Sequence, residues 1–226
     1  MVLAAQDKQA PQSREALETL CAKYWYPLYA FVRRQGYSAD AAGDLTQGFF
    51  AQCLEKDWLS AVDQRKGRFR SFLLVAMKHF LSKERAKQRA QKRGGDRRAL
   101  RLDVQDAETR YTLEPQDDRT PEQYFERQWA VTLLETVLVG LERRYRKEGK
   151  SEPFTILKPC LLGQSDRLPY ADLSAQLGCT EGAARVMVHR LKKQYRELLR
   201  EHIAHTVNSL EDIDAEMQHL RDVLSG

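Results

Sequence analysis

Apolar residues near the N-terminus recur every three or four positions, which is the period of an amphipathic helix. They are Leu17, Leu20, Cys21, Tyr24, Leu28, Phe31 and Val32. A helix is therefore predicted between Ser13, a suitable N-cap, and Gly36, a suitable stop. Pro27 has no amide hydrogen, so we expect it to kink or split this helix.

Two more helices are predicted in the same half of the chain. Ser38 is placed to cap one that runs to about Glu55, and a polar loop at residues 63–67 precedes the other. The apolar stripe of that third helix consists of Phe69, Phe72, Leu73, Ala76, Phe80 and Leu81. Residues 82–93 are then nearly all polar and basic, and a Gly-Gly pair ends the helix.

The segment 96–119 has no sustained hydrophobic period and is rich in acidic residues, which favours a linker. It is predicted to join domains of residues 1–95 and 120–206. The second domain begins with Thr120-Pro121-Glu122-Gln123, a capping box with proline at the first helical position. Apolar residues follow at helical spacing, namely Phe125, Trp129, Leu133, Val137 and Leu141, and a shorter helix through Leu157 and Leu161 comes next. No strand pattern appears, so the predicted fold class is all-α, with two small helical domains.

Residues 170–200 have the pattern of a helix-turn-helix. A helix carrying Leu173 and Leu177 meets Gly178, which tolerates the left-handed backbone of a tight turn, and Thr180 is placed to cap a second helix. Its predicted buried stripe is Ala184, Val188, Leu191, Tyr195 and Leu198. The motif favours DNA binding, although an ordinary helical hairpin with a solvated basic face is the alternative. The motif alone does not identify the class of DNA-binding protein.

Charge is distributed unevenly around a formal net value of +5. Residues 83–101 carry nine Lys or Arg and residues 182–200 carry six, whereas residues 103–126 carry eight acids. Two basic segments therefore flank an acidic one, as expected of a protein with an anionic partner. No apolar run is long enough for a membrane span and no export signal is evident, so we expect a cytoplasmic protein without membrane contact.

Motifs for catalysis and for metal binding are missing from the sequence. The four cysteines form no CxxC pair, and His202 and His205 have no evident third ligand. Paired carboxylates with a metal-ligating histidine, a glycine-rich phosphate loop and a nucleophile motif are also absent, which argues against an enzyme such as a nuclease. We therefore expect no catalytic residues, no metal and no cofactor.

The whole chain resembles an extracytoplasmic-function (ECF) sigma factor, a promoter-recognition subunit of bacterial RNA polymerase. Residues 37–50 read Tyr-Ser-Ala-Asp-Ala-Ala-Gly-Asp-Leu-Thr-Gln-Gly-Phe-Phe and resemble the family's helix that docks on the clamp of core polymerase. Residues 67–81 are similar to its promoter-melting helix, and the second half is similar to its domain for the −35 element. The sequence departs from the family at Gly48, where Glu is frequent, and at Phe72, where Trp is frequent.

Three sets of contacts follow from this resemblance and from the basic residues themselves. The residues expected to bind core polymerase are Asp44, Leu45, Gln47 and Phe50. Those expected to bind the −10 region are Arg70, Lys78, His79, Lys83, Arg85, Lys87 and Arg89. Those expected to bind the −35 region are Thr180, Gly182, Arg185, Val186, Met187, His189, Arg190, Lys192 and Lys193. Phe69 and Phe72 either pack the core or stack on an unpaired base.

The implied partners are core RNA polymerase and promoter DNA, together with an anti-sigma factor or another regulator. The main alternative is a stand-alone helix-turn-helix regulator, which predicts DNA binding without polymerase. Residues 207–226 form an extra amphipathic segment with an acidic polar side. It is either a terminal helix packed on its own domain, a docking surface for a regulator, or an intramolecular cover whose removal raises promoter binding.

Overall fold

A computed structural model describes residues 11–55, 68–90, 104–114, 118–161, 169–207 and 209–225 of this chain. Within these ranges it consists of nine α-helices and a short 3-10 turn at Lys158–Leu161, without a strand, so the predicted all-α class is confirmed. The α-helices are α1 (Pro11–Arg34), α2 (Ala39–Glu55), α3 (Phe69–Ala90), α4 (Val104–Leu113), α5 (Pro121–Lys147), α6 (Ser151–Leu157), α7 (Tyr170–Leu177), α8 (Glu181–Ala204) and α9 (Leu210–Ser225).

The chain divides into two compact units. The first unit comprises residues 1–132 and 204–226, and the second unit comprises residues 133–203. The division thus falls inside α5 rather than in the acidic segment 96–119, and α9 belongs to the first unit. Among the helices described, none combines the length and the apolar character needed to cross a membrane.

Local signals set the ends of several helices as predicted. Ser38 Oγ accepts a hydrogen bond of 3.3 Å from the Ala41 amide at the start of α2. Thr120 and Gln123 exchange reciprocal side-chain to backbone hydrogen bonds of 2.9 and 3.2 Å, which confirms the capping box of α5. Gly36 follows α1 with a φ of +89°, a value that favours glycine.

Helix α1 runs through Pro27 without interruption, so of the two predicted outcomes, a kink or a split, the split does not occur. Residues 24–32 are all buried, including Leu28, Tyr29 and Phe31, which have no exposed surface. This burial on both sides of Pro27 offsets the cost of about 3 kcal/mol that proline imposes inside a helix.

The core of the first unit joins α1, α2 and α3 through aromatic side chains. Phe49 of α2 lies edge-on to Phe80 of α3 at 5.8 Å between ring centroids, and Tyr24 of α1 lies edge-on to Phe69 at 5.4 Å. Edge-on aromatic pairs add about 0.5–1.5 kcal/mol each to the burial of the rings. They hold the start of the basic helix α3 on α1.

The segment predicted as a linker contains helix α4, which packs in the first unit against α1 and α2. Arg33 forms an ion pair of 2.7 Å with Glu108, and the Arg110 guanidinium lies 4.1 Å from the centre of the Tyr26 ring. Hydrogen bonds from Arg33 hold the pKa of Glu108 below its usual range, so this carboxylate stays charged at neutral pH. These contacts of α4 are made by charged and tyrosine side chains. Such side chains do not produce a strong hydrophobic period in the sequence.

A hydrophobic core in the second unit has members from α5, α6, α7 and α8. Its buried members are Leu141, Phe154, Leu157, Cys160, Leu173, Ala184, Val188 and Leu191. The predicted stripe of α8 is confirmed, since Tyr195 and Leu198 pack against this cluster while partly buried. Burial raises the pKa of Tyr195 to about 12, so its hydroxyl keeps its proton and donates a 3.1 Å hydrogen bond to the Leu134 carbonyl.

Candidate nucleic-acid interface

A tight turn at Gly178 connects α7 to α8. Gly178 has φ +61° and ψ 36°, and the Cys179 amide donates a 3.0 Å hydrogen bond back to the Ser174 carbonyl. This left-handed backbone favours glycine, because other side chains crowd the carbonyl in this region. Thr180 Oγ1 then accepts a 3.2 Å hydrogen bond from the Ala183 amide, as predicted for the cap of α8.

The buried stripe of α8 determines which side chains of that helix reach solvent. Among the residues predicted to contact DNA, the exposed ones are Thr180, Gly182, Arg185, Val186, His189, Arg190, Lys192 and Lys193. Met187 differs from the rest, because it is partly buried and packs against the core of the second unit. Its main contact is therefore with the protein interior.

Two exposed cations of α8, Arg185 and Lys193, each form a loose ion pair within the helix. Arg185 lies 3.6 Å from Glu181 and Lys193 lies 3.8 Å from Glu197, and all four side chains are more than half exposed. Such surface pairs contribute about 0–1 kcal/mol, so a phosphate can replace the carboxylate at little cost. The Arg185 guanidinium also lies 5.1 Å from the centre of the Tyr170 ring, which orients it beside the N-terminus of α7.

A basic group at the end of α5 was not among the predicted sites. Its exposed members are Arg143, Arg144, Arg146 and Lys147. Tyr145, between them, donates a 2.9 Å hydrogen bond to Gln194 of α8, so this end of α5 lies beside the basic helix. The run Arg-Arg-Tyr-Arg-Lys is visible in the sequence, but its position beside α8 follows from the contacts of Tyr145 in the structure.

In the first unit, α3 presents a second basic surface. Lys78, His79, Lys83, Arg85 and Lys87 are exposed along this helix. Arg85 donates a 2.6 Å hydrogen bond to the Tyr37 hydroxyl, and Lys78 forms a 2.7 Å ion pair with Glu122. The side chain of Arg89 lies outside the described residues. Five of the seven predicted −10 contacts are thus displayed to solvent.

Phe69 and Phe72 are placed differently by α3. Phe69 is buried against Tyr24, which supports its interpretation as a core residue. Phe72 is half-buried and stacks on Phe69 at 6.3 Å between ring centroids. Of the two rings, only that of Phe72 has surface that a base can reach.

Helix α2, which was predicted to bind the clamp of core polymerase, exposes fewer of its predicted contacts than α3 does. Asp44 is exposed and Leu45 is half-buried, but Gln47 and Phe50 are only 9% and 7% exposed. Helix α2 packs against α1, α3 and α4, which together cover more than one of its faces. The surface that α2 can offer to a partner is therefore centred on Asp44.

Arg70 was predicted to contact DNA, but it is buried in the first unit with 4% of its surface exposed. Its Nε donates a 2.6 Å hydrogen bond to Glu126, its Nη1 pairs with Glu216 of α9, and its guanidinium lies 4.5 Å from the centre of the Trp129 ring. Burial lowers the pKa of Arg70, and the charge of Glu126 opposes that change. In this structure Glu126 and Glu216 occupy the guanidinium of Arg70, so a contact with DNA requires displacement of a carboxylate, and the predicted contact stays a prediction.

Comparison of this chain with family models, with characterised proteins and with solved structures gave no match.

Proposed function

We propose that this protein is an ECF-type sigma factor, which binds core RNA polymerase and directs transcription initiation at specific promoters. The observation that carries the proposal is the basic surface of α8, whose loosely paired cations follow the glycine turn at Gly178. The sequences of α2 and α3 resemble the family's clamp-docking and promoter-melting helices. This resemblance extends the proposal from DNA binding to binding of core polymerase.

The two basic helices suit two tasks in this function. The N-terminal part of α8, with Arg185 and Val186 exposed, has the composition of a helix that reads base edges in a major groove. The exposed Lys78, Lys83 and Lys87 of α3 suit contacts with the phosphates of a second promoter element. Phe72 offers a partly open ring for an unstacked base.

One experiment tests the proposal directly. Purified core polymerase is mixed with the protein and a promoter library, and transcript start sites are mapped. We expect start sites that depend on the protein and share an upstream sequence. DNA binding without any effect on polymerase would instead favour a stand-alone helix-turn-helix regulator, and the absence of both activities would refute either function.

Asp44→Arg is expected to weaken binding to core polymerase by about tenfold or more. The change reverses the charge at the exposed centre of the α2 surface that is proposed to dock on the clamp. The measurement is the affinity of labelled protein for core enzyme. Asp40→Arg, also exposed on α2 and one turn earlier, is the matched control and should bind nearly as well as the original protein. Equal losses for both variants would place the contact elsewhere on α2.

Arg185→Ala and Lys193→Ala are expected to affect DNA binding in different ways. If Arg185 reaches a base edge, its loss should relax the preference at one base pair by about 1–3 kcal/mol. Lys193 lies two turns further along α8, so its loss should weaken all sequences alike and reduce the salt dependence by about one phosphate contact. Affinities for a set of single-base variants at several salt concentrations separate these effects, and an identical pattern for both residues would contradict the assignment.

A further inference from the structure

Helix α9 packs on the first unit through a stripe that contains one charged residue. Ile213, Glu216 and Leu220 are its buried positions, and Glu216 is only 1% exposed. The Glu216 carboxylate pairs with both Arg68 and Arg70, which lie at the start of the basic helix α3. The terminal helix thus brings an anion to the basic helix that the proposed function assigns to DNA.

A second contact holds α9 at the same place. His219 Nε2 lies 3.0 Å from Glu126 Oε2, the same oxygen that accepts the hydrogen bond from Arg70. The His219 ring also lies 6.3 Å from that of Trp129, on which Arg70 stacks. Arg70 therefore has two kinds of partner: Glu126 and Trp129 belong to α5, whereas Glu216 belongs to α9.

Removing α9 would leave Arg70 held by α5 but exposed to solvent on the side that α9 covers. Its Nε would still be held by Glu126 and its guanidinium would still lie over Trp129, while the Nη1 that pairs with Glu216 would face solvent. Arg68 would also lose its carboxylate, and its side chain is already 36% exposed. Two arginines close together at a helix start, of which Arg70 is still held by α5, are suited to bind a phosphate.

The exchange of Glu216 for a phosphate is energetically feasible. Burying an ion pair costs desolvation that offsets most of its Coulombic gain, so the net stability that Glu216 adds is much smaller than its bare attraction. A DNA phosphate offers the same arginines an anion of equal charge and releases counterions on binding.

We propose that α9 is a releasable clasp, in which Glu216 occupies Arg68 and Arg70 and competes with DNA phosphate for them. In the closed form the start of α3 is covered, and DNA binding and α9 docking exclude each other at these arginines. This inference rests on the proposed function, because it assigns the competing anion to promoter DNA.

The test uses the full chain, bound to core polymerase, with three substitutions. Glu216→Gln removes the competing charge while keeping the shape of the side chain, and Leu220→Ala loosens α9 without changing either arginine pair. Glu211→Gln removes an exposed acid from the same helix and is the control for net charge. The readouts are affinity for a promoter duplex and amide hydrogen exchange of α9, with circular dichroism to verify folding.

The clasp predicts that Glu216→Gln and Leu220→Ala bind the duplex about fivefold or more tightly than the original protein, while Glu211→Gln is unchanged. It also predicts faster exchange of α9 amides in both variants, and in the original protein when DNA is added. Folded variants with unchanged or weaker affinity, or α9 amides that DNA leaves protected, would overturn the clasp while the proposed function stands. Absence of DNA binding by every protein, including the original, would overturn both.

Discussion

Replacing Arg70 with alanine is expected to lower the free energy of unfolding of this protein by about 3–5 kcal/mol, because the change leaves two carboxylates without their shared cation in a buried site. Glu216 is almost completely buried beside it, and Glu126 accepts its 2.6 Å hydrogen bond. The stacking of the guanidinium on Trp129 is lost as well. Denaturant unfolding of the protein, followed for the first unit, measures this change in the free energy of unfolding.

Lys78→Ala is the matched control for this substitution. Lys78 also lies on α3 and also pairs with a glutamate of α5, Glu122, at 2.7 Å, but the two side chains are 45% and 40% exposed. An exposed pair contributes about 0–1 kcal/mol, so the expected loss is several times smaller than for Arg70. Similar losses for the two variants would mean that Arg70 is hydrated in solution and that the buried network does not form.

Leu191→Ala is expected to destabilise the second unit by about 2–5 kcal/mol, because it opens a cavity in the hydrophobic cluster of that unit. Leu191 lies on α8 and has no exposed surface. Since the same core orients the basic face of α8, DNA binding should fall in proportion to the fraction of the second unit that is unfolded. Thermal unfolding and DNA titration on the same samples measure both quantities.

Val186→Ala separates this effect from a general loss of apolar surface. Val186 is on the same helix, but 48% of it is exposed, so its truncation should change stability by less than about 0.5 kcal/mol. If Val186 touches a base, as predicted, the variant should lose some sequence preference while it stays folded. A stable Leu191→Ala variant would contradict the packing of α8 described above.

Features that depend on neighbouring residues were predictable from the sequence. The capping box of Thr120 and Gln123, the cap at Ser38 and the glycine turn at Gly178 each involve groups a few residues apart, so the spacing alone identifies them. The stripe of α8 was predictable for the same reason, because a long helix with one apolar face repeats its signal many times.

Contacts between distant residues were not predictable in this way. Arg70 and Glu216 are separated by 146 positions, and nothing near either residue marks it as half of a buried pair. Arg70 was therefore assigned to the −10 region of the promoter and not to a buried ion pair. Helix α4 was missed because its contacts with α1 use charges and tyrosine rings, which a search for apolar periodicity does not detect.

The motif in α2 that resembles a clamp-docking helix shows a third limit of prediction from the sequence. Sequence similarity in α2 predicted four residues as contacts with polymerase. Whether each of them is exposed depends on the helices that pack around α2 in this chain. Gln47 and Phe50 lie inside the unit, and Asp44 is the exposed member of the set. Of the four residues that the motif predicted as contacts, Asp44 is therefore the one that a partner can reach most readily.

The return of the chain to the first unit at residue 204 has a consequence for biosynthesis. Arg70 leaves the ribosome 146 residues before Glu216, a delay of about 7–30 s at ordinary rates of translation. During that interval Glu126 and Trp129 can already hold Arg70, but the guanidinium has no second carboxylate. The nascent first unit therefore passes through a stage in which Arg68 and Arg70 have not yet met the carboxylate of α9.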